Sequence, residues 1–164
     1  MSSPSTPADP NRKVRASILD RLLDDEPGDR PERPPMRVQS RNQFARSLMR
    51  DLGWLLNTRC TARVPVGKEA GPRTVLDFGV DDMTHLAPAS YDDRLIMARV
   101  LKEAITAFEP RLQVVRLTVE PMAGKHREVE VRLEAWLWTD QVREPVSFRV
   151  MLDLGRGEAE VRGS

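Results

Sequence analysis

The chain has 164 residues and a mass of 18.6 kDa, enough for one domain of ordinary size, or for a smaller domain and a tail. Twenty-six basic and 25 acidic side chains leave a formal net charge of +1, so global charge points to no polyanionic partner. With 40% hydrophobic and 31% charged residues it is composed like a soluble globular protein, and its single cysteine, Cys60, excludes an intrachain disulfide framework and a Cys-rich zinc site.

Seven of the 13 prolines fall in the first 40 residues. Proline supplies no amide donor to a helix or ladder, so residues 1–15 are expected to be a disordered Pro-rich tail. One island interrupts this region. Ser17 followed by Asp20 reads as a capping box, with Ile18, Leu19, Leu22 and Leu23 clustered behind it. A helix this short is marginal alone, so residues 16–40 are expected to form a short docking helix and a linker.

Residues 41–164 then carry the expected domain. Five arginines lie between Arg41 and Arg63 against one acid, Asp51. Ser40 with Gln43 is a second capping box, and Phe44, Leu48, Leu52 and Leu55 follow at helical spacing, with Arg46 and Arg50 on a different face. This helix should run to about Leu56, with Asn57 as its stop. Residues 60–90 are punctuated by proline and glycine, with one short extended candidate at Thr74–Phe78. Ser90 and Asp93 open a third helix whose face is Tyr91, Leu95, Ala98, Leu101, Ile105 and Phe108; Pro110 ends it.

The period then changes to two. Val115, Leu117 and Val119 alternate with Arg116 and Thr118; Val129, Val131, Leu133, Ala135 and Leu137 alternate with Glu128, Glu130, Arg132 and Glu134; Val146, Phe148, Val150 and Leu152 form a third set. The predicted fold is α+β, with N-terminal helices packed on a three-stranded antiparallel meander.

Enzyme signatures are absent. The nine glycines form no phosphate loop, and His85 and His126 have no ligand-spaced companions, so neither a cofactor nor a metal is expected. Glu103, Glu109 and Glu120 are conceivable members of a glycosidase pair, but 25 acids always allow some pair, and solvated or salt-bridged surface carboxylates are the better reading. The arginine-bearing helix lacks an aromatic platform for nucleic acid; an acidic protein surface or plain solvent suits it equally. Two features stand out. Trp136 and Trp138 occupy the polar parity of their strand and need cover, from an N-terminal segment or from another protein. At the helix-to-strand corner, Pro110 fixes Glu109 and Arg111, and Arg111 either meets a partner through a bidentate contact or pairs locally with Glu109.

Three segments, Ser17-Ile-Leu-Asp-Arg-Leu22, Arg50-Asp-Leu-Gly-Trp-Leu-Leu-Asn-Thr-Arg59 and Phe108-Glu-Pro-Arg-Leu112, occur in the order found in TssE, a type VI secretion baseplate subunit. The resemblance runs from about residue 16 to about residue 153. The TssE family is related to a phage baseplate wedge protein long labelled a tail lysozyme. The resemblance implies a non-enzymatic structural subunit that sits on the TssF/TssG wedge and templates the TssB/TssC contractile sheath by strand pairing. By the same resemblance, Glu109, Pro110 and Arg111 face the wedge. Arg46, Arg50, Trp136 and Trp138 are further candidate partner-binding residues. The alternatives are a peptidoglycan-cleaving, lysozyme-like hydrolase and a wedge subunit of a phage-like contractile tail. With no membrane-length apolar run and no signal-peptide core at Met1, a cytoplasmic location without membrane insertion is expected, and the resemblance implies the cytoplasmic side of the inner membrane.

Overall fold

The computed structural model describes residues 14–22, 38–60, 74–138 and 143–163. They fall into two compact units that divide between Leu48 and Met49. Most of the expected tail lies outside the described residues.

In the first unit, strand β1 (Val14–Arg15) pairs antiparallel with β2 (Val38–Gln39), a ribbon that the proline-rich composition did not suggest. Between them in sequence comes helix α1 (Ile18–Leu22). Its expected capping box forms: the Asp20 amide donates to Ser17 Oγ at 3.1 Å, and the Ser17 hydroxyl donates to Asp20 Oδ2 at 2.7 Å. Helix α2 (Arg41–Asn57) opens in this unit with the second box, where the Ser40 amide donates to Gln43 Oε1 at 2.8 Å. Phe44 and Leu48 are buried, and Ile18 is exposed.

The second unit takes up the last turns of α2, then a single 3-10 turn at Val75–Asp77, helix α3 (Tyr91–Phe108) and four strands: β3 (Leu112–Pro121), β4 (Glu128–Trp138), β5 (Arg143–Asp153) and β6 (Glu158–Gly163). They form one antiparallel sheet in the order β3-β4-β5-β6. The fold is α+β, but the meander has four strands rather than three. Glu158–Gly163 alternates, but through only Ala159 and Val161, a shorter and less apolar pattern than that of β4 or β5. The strand forms because Gly157, at φ 69°, closes a tight hairpin in which its amide donates to Asp153 O at 2.7 Å.

Three local expectations are corrected. Thr74–Phe78 is not extended, because Thr74 and Asp77 cap each other and wind the intervening residues into the 3-10 turn. The buried face of α3 is Met97, Leu101, Ala104 and Ile105, with Tyr91 and Leu95 outward. Leu101 and Ile105 belong to both sets; the i, i+4, i+7, i+8 spacing that contains them runs through Met97 and Ala104 and leaves Tyr91 and Leu95 off the inner face. In β3 the register slips between Val114 and Arg116, so Val115 is a bulge residue, 56% exposed, rather than part of the core alternation.

The second unit's core lies between the inner sheet face and the two helices. Leu56, Leu101, Ile105, Val131, Leu133 and Val150 surround a void of only about 10 Å³, so this core is filled and offers no room for a ligand.

Candidate functional site

The corner between α3 and β3 is built by its sequence. The Glu109 amide closes α3 on Ile105 O at 2.8 Å, and the Leu112 amide returns to Glu109 O at 3.0 Å. Pro110 occupies the second position of that turn, where its fixed φ suits the bend. Phe108, the last helical residue, meets Phe78 edge-to-face with ring centroids 5.3 Å apart.

This geometry turns Glu109 inward, where it is 4% exposed. Arg111 comes back over it: Nε donates to Glu109 Oε1 at 2.6 Å, and Nη2 donates to Glu109 Oε2. The same Nη2 donates to Asp51 Oδ2 at 2.6 Å, across 60 residues of sequence. Asp51 in turn accepts from Arg50 Nη2 at 2.9 Å, and the Arg50 guanidinium lies 5.0 Å from the centre of the Trp54 ring. The result is a chain of alternating charge: Glu109, Arg111, Asp51, Arg50. Burial alone would lower the Arg111 pKa, but the hydrogen bonds and charge of Glu109, and then of Asp51, outweigh it and hold that pKa above its ordinary value. The Arg111 side chain is 21% exposed, so part of its surface stays accessible at the rim of the network.

Of the two roles open to Arg111 in the sequence, the local pair with Glu109 is present, with Asp51 as a third member. Asp51 went unnoticed as a site residue. Its signal was its isolation as the only carboxylate among the five arginines from Arg41 to Arg63. Arg50 joins the network; Arg46 is exposed on the first unit.

The tryptophans lie beside the same corner, because the Trp138 amide donates to Arg111 O at 2.8 Å. As expected, both sit on the sheet face opposite the core, Trp136 half-buried and Trp138 52% exposed. Arg143, the ladder partner of Trp138, contacts both rings. The Arg143 guanidinium lies 4.7 Å from the Trp136 ring centre and 5.3 Å from that of Trp138, and its Nη2 donates to Gln113 Oε1 at 2.7 Å.

The borders of the sheet differ. On β6, the Ala159 amide donates to Asn57 Oδ1 at 2.9 Å and Asn57 Nδ2 donates to Ala159 O at 2.8 Å. Four residues on, a side chain at Gly163 would stand 3.3 Å from Met49 Sδ. The last turns of α2, from Met49 to Asn57, therefore lie along this border and cover it. On β3, the Met122 amide donates to Glu128 O. The strict alternation of an antiparallel ladder then aims the backbone groups of Leu117, Val119 and Pro121 away from β4. Among the described residues, nothing hydrogen-bonds the outward groups of Leu117 or Val119. Pro121 fits there without losing a ladder bond.

Among the described residues, no group of three His, Cys, Asp or Glu side chains could hold a metal ion, and no helix is long and apolar enough to cross a membrane. Comparison with curated proteins and with solved structures gives no match. The family model for the baseplate wedge protein gp25 matches residues 42–142, a span that takes in Asp51, the Glu109–Arg111 corner, β3 and both tryptophans. The chain therefore belongs to the baseplate wedge protein gp25 family, a structural component of contractile injection machines.

Proposed function

We propose that this protein is a non-enzymatic adaptor of a type VI secretion baseplate, joining the TssF/TssG wedge to the TssB/TssC sheath and templating the first sheath ring by strand pairing. One observation carries the proposal: among the described residues, the sheet has one covered border and one open one. An added strand needs a row of unpaired amides and carbonyls, and β3 presents them at Leu117 and Val119 while α2 closes the β6 side. A single open border gives strand addition one position and one direction, which is what a template requires.

The wedge contact is assigned to the corner, through the accessible rim of Arg111 together with Pro110, Arg50 and Trp54. Arg46, Trp136 and Trp138 are further contact positions. A lysozyme-like reading is less well supported, because both oxygens of Glu109 are engaged by Arg111 and the carboxyl group is buried. The complex would assemble at the cytoplasmic side of the inner membrane.

Co-purification with TssF, TssG, TssB and TssC tests both contacts. Leu117→Pro removes an outward amide from β3 at a position equivalent in the ladder to Pro121, and should abolish sheath recruitment while wedge binding persists. Trp54→Ala should do the reverse. Sheath recruitment unchanged by Leu117→Pro in a protein of normal melting temperature would remove strand pairing. Loss of turbidity in purified cell walls on adding the protein would restore the hydrolase.

A further inference from the structure

The register of β3 to β6 sorts the outer sheet face by charge. Ladder partners place Arg132 opposite Arg149, and Arg149 opposite Arg162, so three arginines stand side by side on adjacent strands. On the side of this row that leads to the tryptophans lie Arg116, Arg143 and one carboxylate, Glu134. On the other side the face carries Glu120, Glu128, Glu130, Asp153, Glu158 and Glu160. One half is basic and aromatic, the other acidic.

Directly opposed like charges destabilise a sheet. The two outer arginines find relief: Arg132 pairs with Glu120 at 3.2 Å and Glu130 at 3.0 Å, and Arg162 pairs with Glu160 at 2.9 Å. Arg149 does not. It is exposed, flanked by an arginine on each neighbouring strand, has Ser147 and Met151 beside it on its own face, and its side chain makes no hydrogen bond or ion pair among the described residues. An exposed guanidinium held in a like-charge row, with Trp136 and Trp138 further along the same face beyond Glu134 and Ser147, complements an extended segment that carries a carboxylate towards one end and an apolar side chain towards the other.

We propose that the basic and aromatic half of this face docks an acidic, partly apolar segment of another protein, with Arg149 as its central charge contact and Trp138 as its apolar one. This surface is the face of the sheet, not its border, so it is separate from strand addition at β3. Nucleic acid fits less well, because the adjoining six carboxylates would repel a continuous phosphate backbone.

The test uses the full chain and a fluorescein-labelled peptide of alternating glutamate and valine, followed by anisotropy at low salt. Binding should weaken by about tenfold or more in Arg149→Glu and measurably in Trp138→Ala. It should persist in Leu117→Pro, which separates face docking from border pairing and leaves each proposal to fail alone. Melting temperature should hold or rise in Arg149→Glu and in the neutral Arg149→Thr, because both relieve the like-charge row; a structural arginine would give the opposite. No peptide binding, or binding indifferent to Arg149, overturns the proposal. So does an oligonucleotide of equal charge that binds as tightly with the same Arg149 dependence, or an Arg149-dependent dimer in sedimentation, which would assign the face to a second copy.

Discussion

Asn57 meets Ala159 as a neighbouring strand would, its side-chain amide donating to the carbonyl at 2.8 Å and accepting from the amide at 2.9 Å. The last residue of a helix thus substitutes for one peptide group and ends the sheet at β6. An uncovered border invites pairing with other chains, and this contact closes the sheet at β6.

Asn57→Ala should cost about 1 kcal/mol, the scale of hydrogen bonds lost where water partly replaces them. It should also allow self-association through the uncovered β6 border. Thermal melting measures the first effect, and sedimentation at rising concentration the second. A variant that melts as the parent does and stays monomeric would show that the border is protected by other means.

Removing Arg111 leaves Glu109 buried without its cation. Arg111→Ala should therefore destabilise the second unit by about 3 kcal/mol, in the range for breaking one half of a buried pair. Arg111→Lys should recover only part of this, since a point charge cannot span both Glu109 oxygens and Asp51. A double-mutant cycle between Asp51→Ala and Arg111→Ala should give a coupling of about 1 kcal/mol. Chemical denaturation of the four proteins supplies the numbers, and a coupling near zero would reduce Asp51 to a bystander.

Gly79 has φ 120°, and a Cβ placed there would lie 2.5 Å from the carbonyl oxygen of Thr58. That approach exists because the Val80 amide donates to Thr58 O and the Cys60 amide donates to Val80 O, both at 2.9 Å. Gly79→Ala combines backbone strain with a clash against main chain, so it should cost at least about 2 kcal/mol in denaturant titration. A neutral result would mean that the 58–60 bridge is dispensable.

Glu160 titrates below its ordinary range because Arg162 donates to its carboxylate and adds its positive charge. With a folded pKa below the unfolded one, the stability it contributes is fully present above the unfolded value. It is lost as pH falls through the folded value. Carboxyl NMR should show Glu160 protonating at lower pH than an ordinary glutamate, and Arg162→Gln should return it to the ordinary carboxylate range. An unchanged titration in that variant would contradict the pairing.

Local sequence determined much of this protein. The boxes at Ser17 and Ser40 start α1 and α2, Pro110 bends the chain after α3, and the alternation in β4 already put Leu133 inside and Trp136 and Trp138 outside. These features act over three or four residues, through steric limits and hydrogen bonds that neighbours in sequence can supply. The tertiary structure decided the rest. Asp51 reaches Arg111 across 60 residues and Asn57 reaches Ala159 across 102. β6 alternates through only Ala159 and Val161, and it pairs where Gly157 turns it onto β5. Which border is closed, and which arginines stand side by side, depend on strand order and register. Those are properties of pairing between distant segments, and no single segment encodes them.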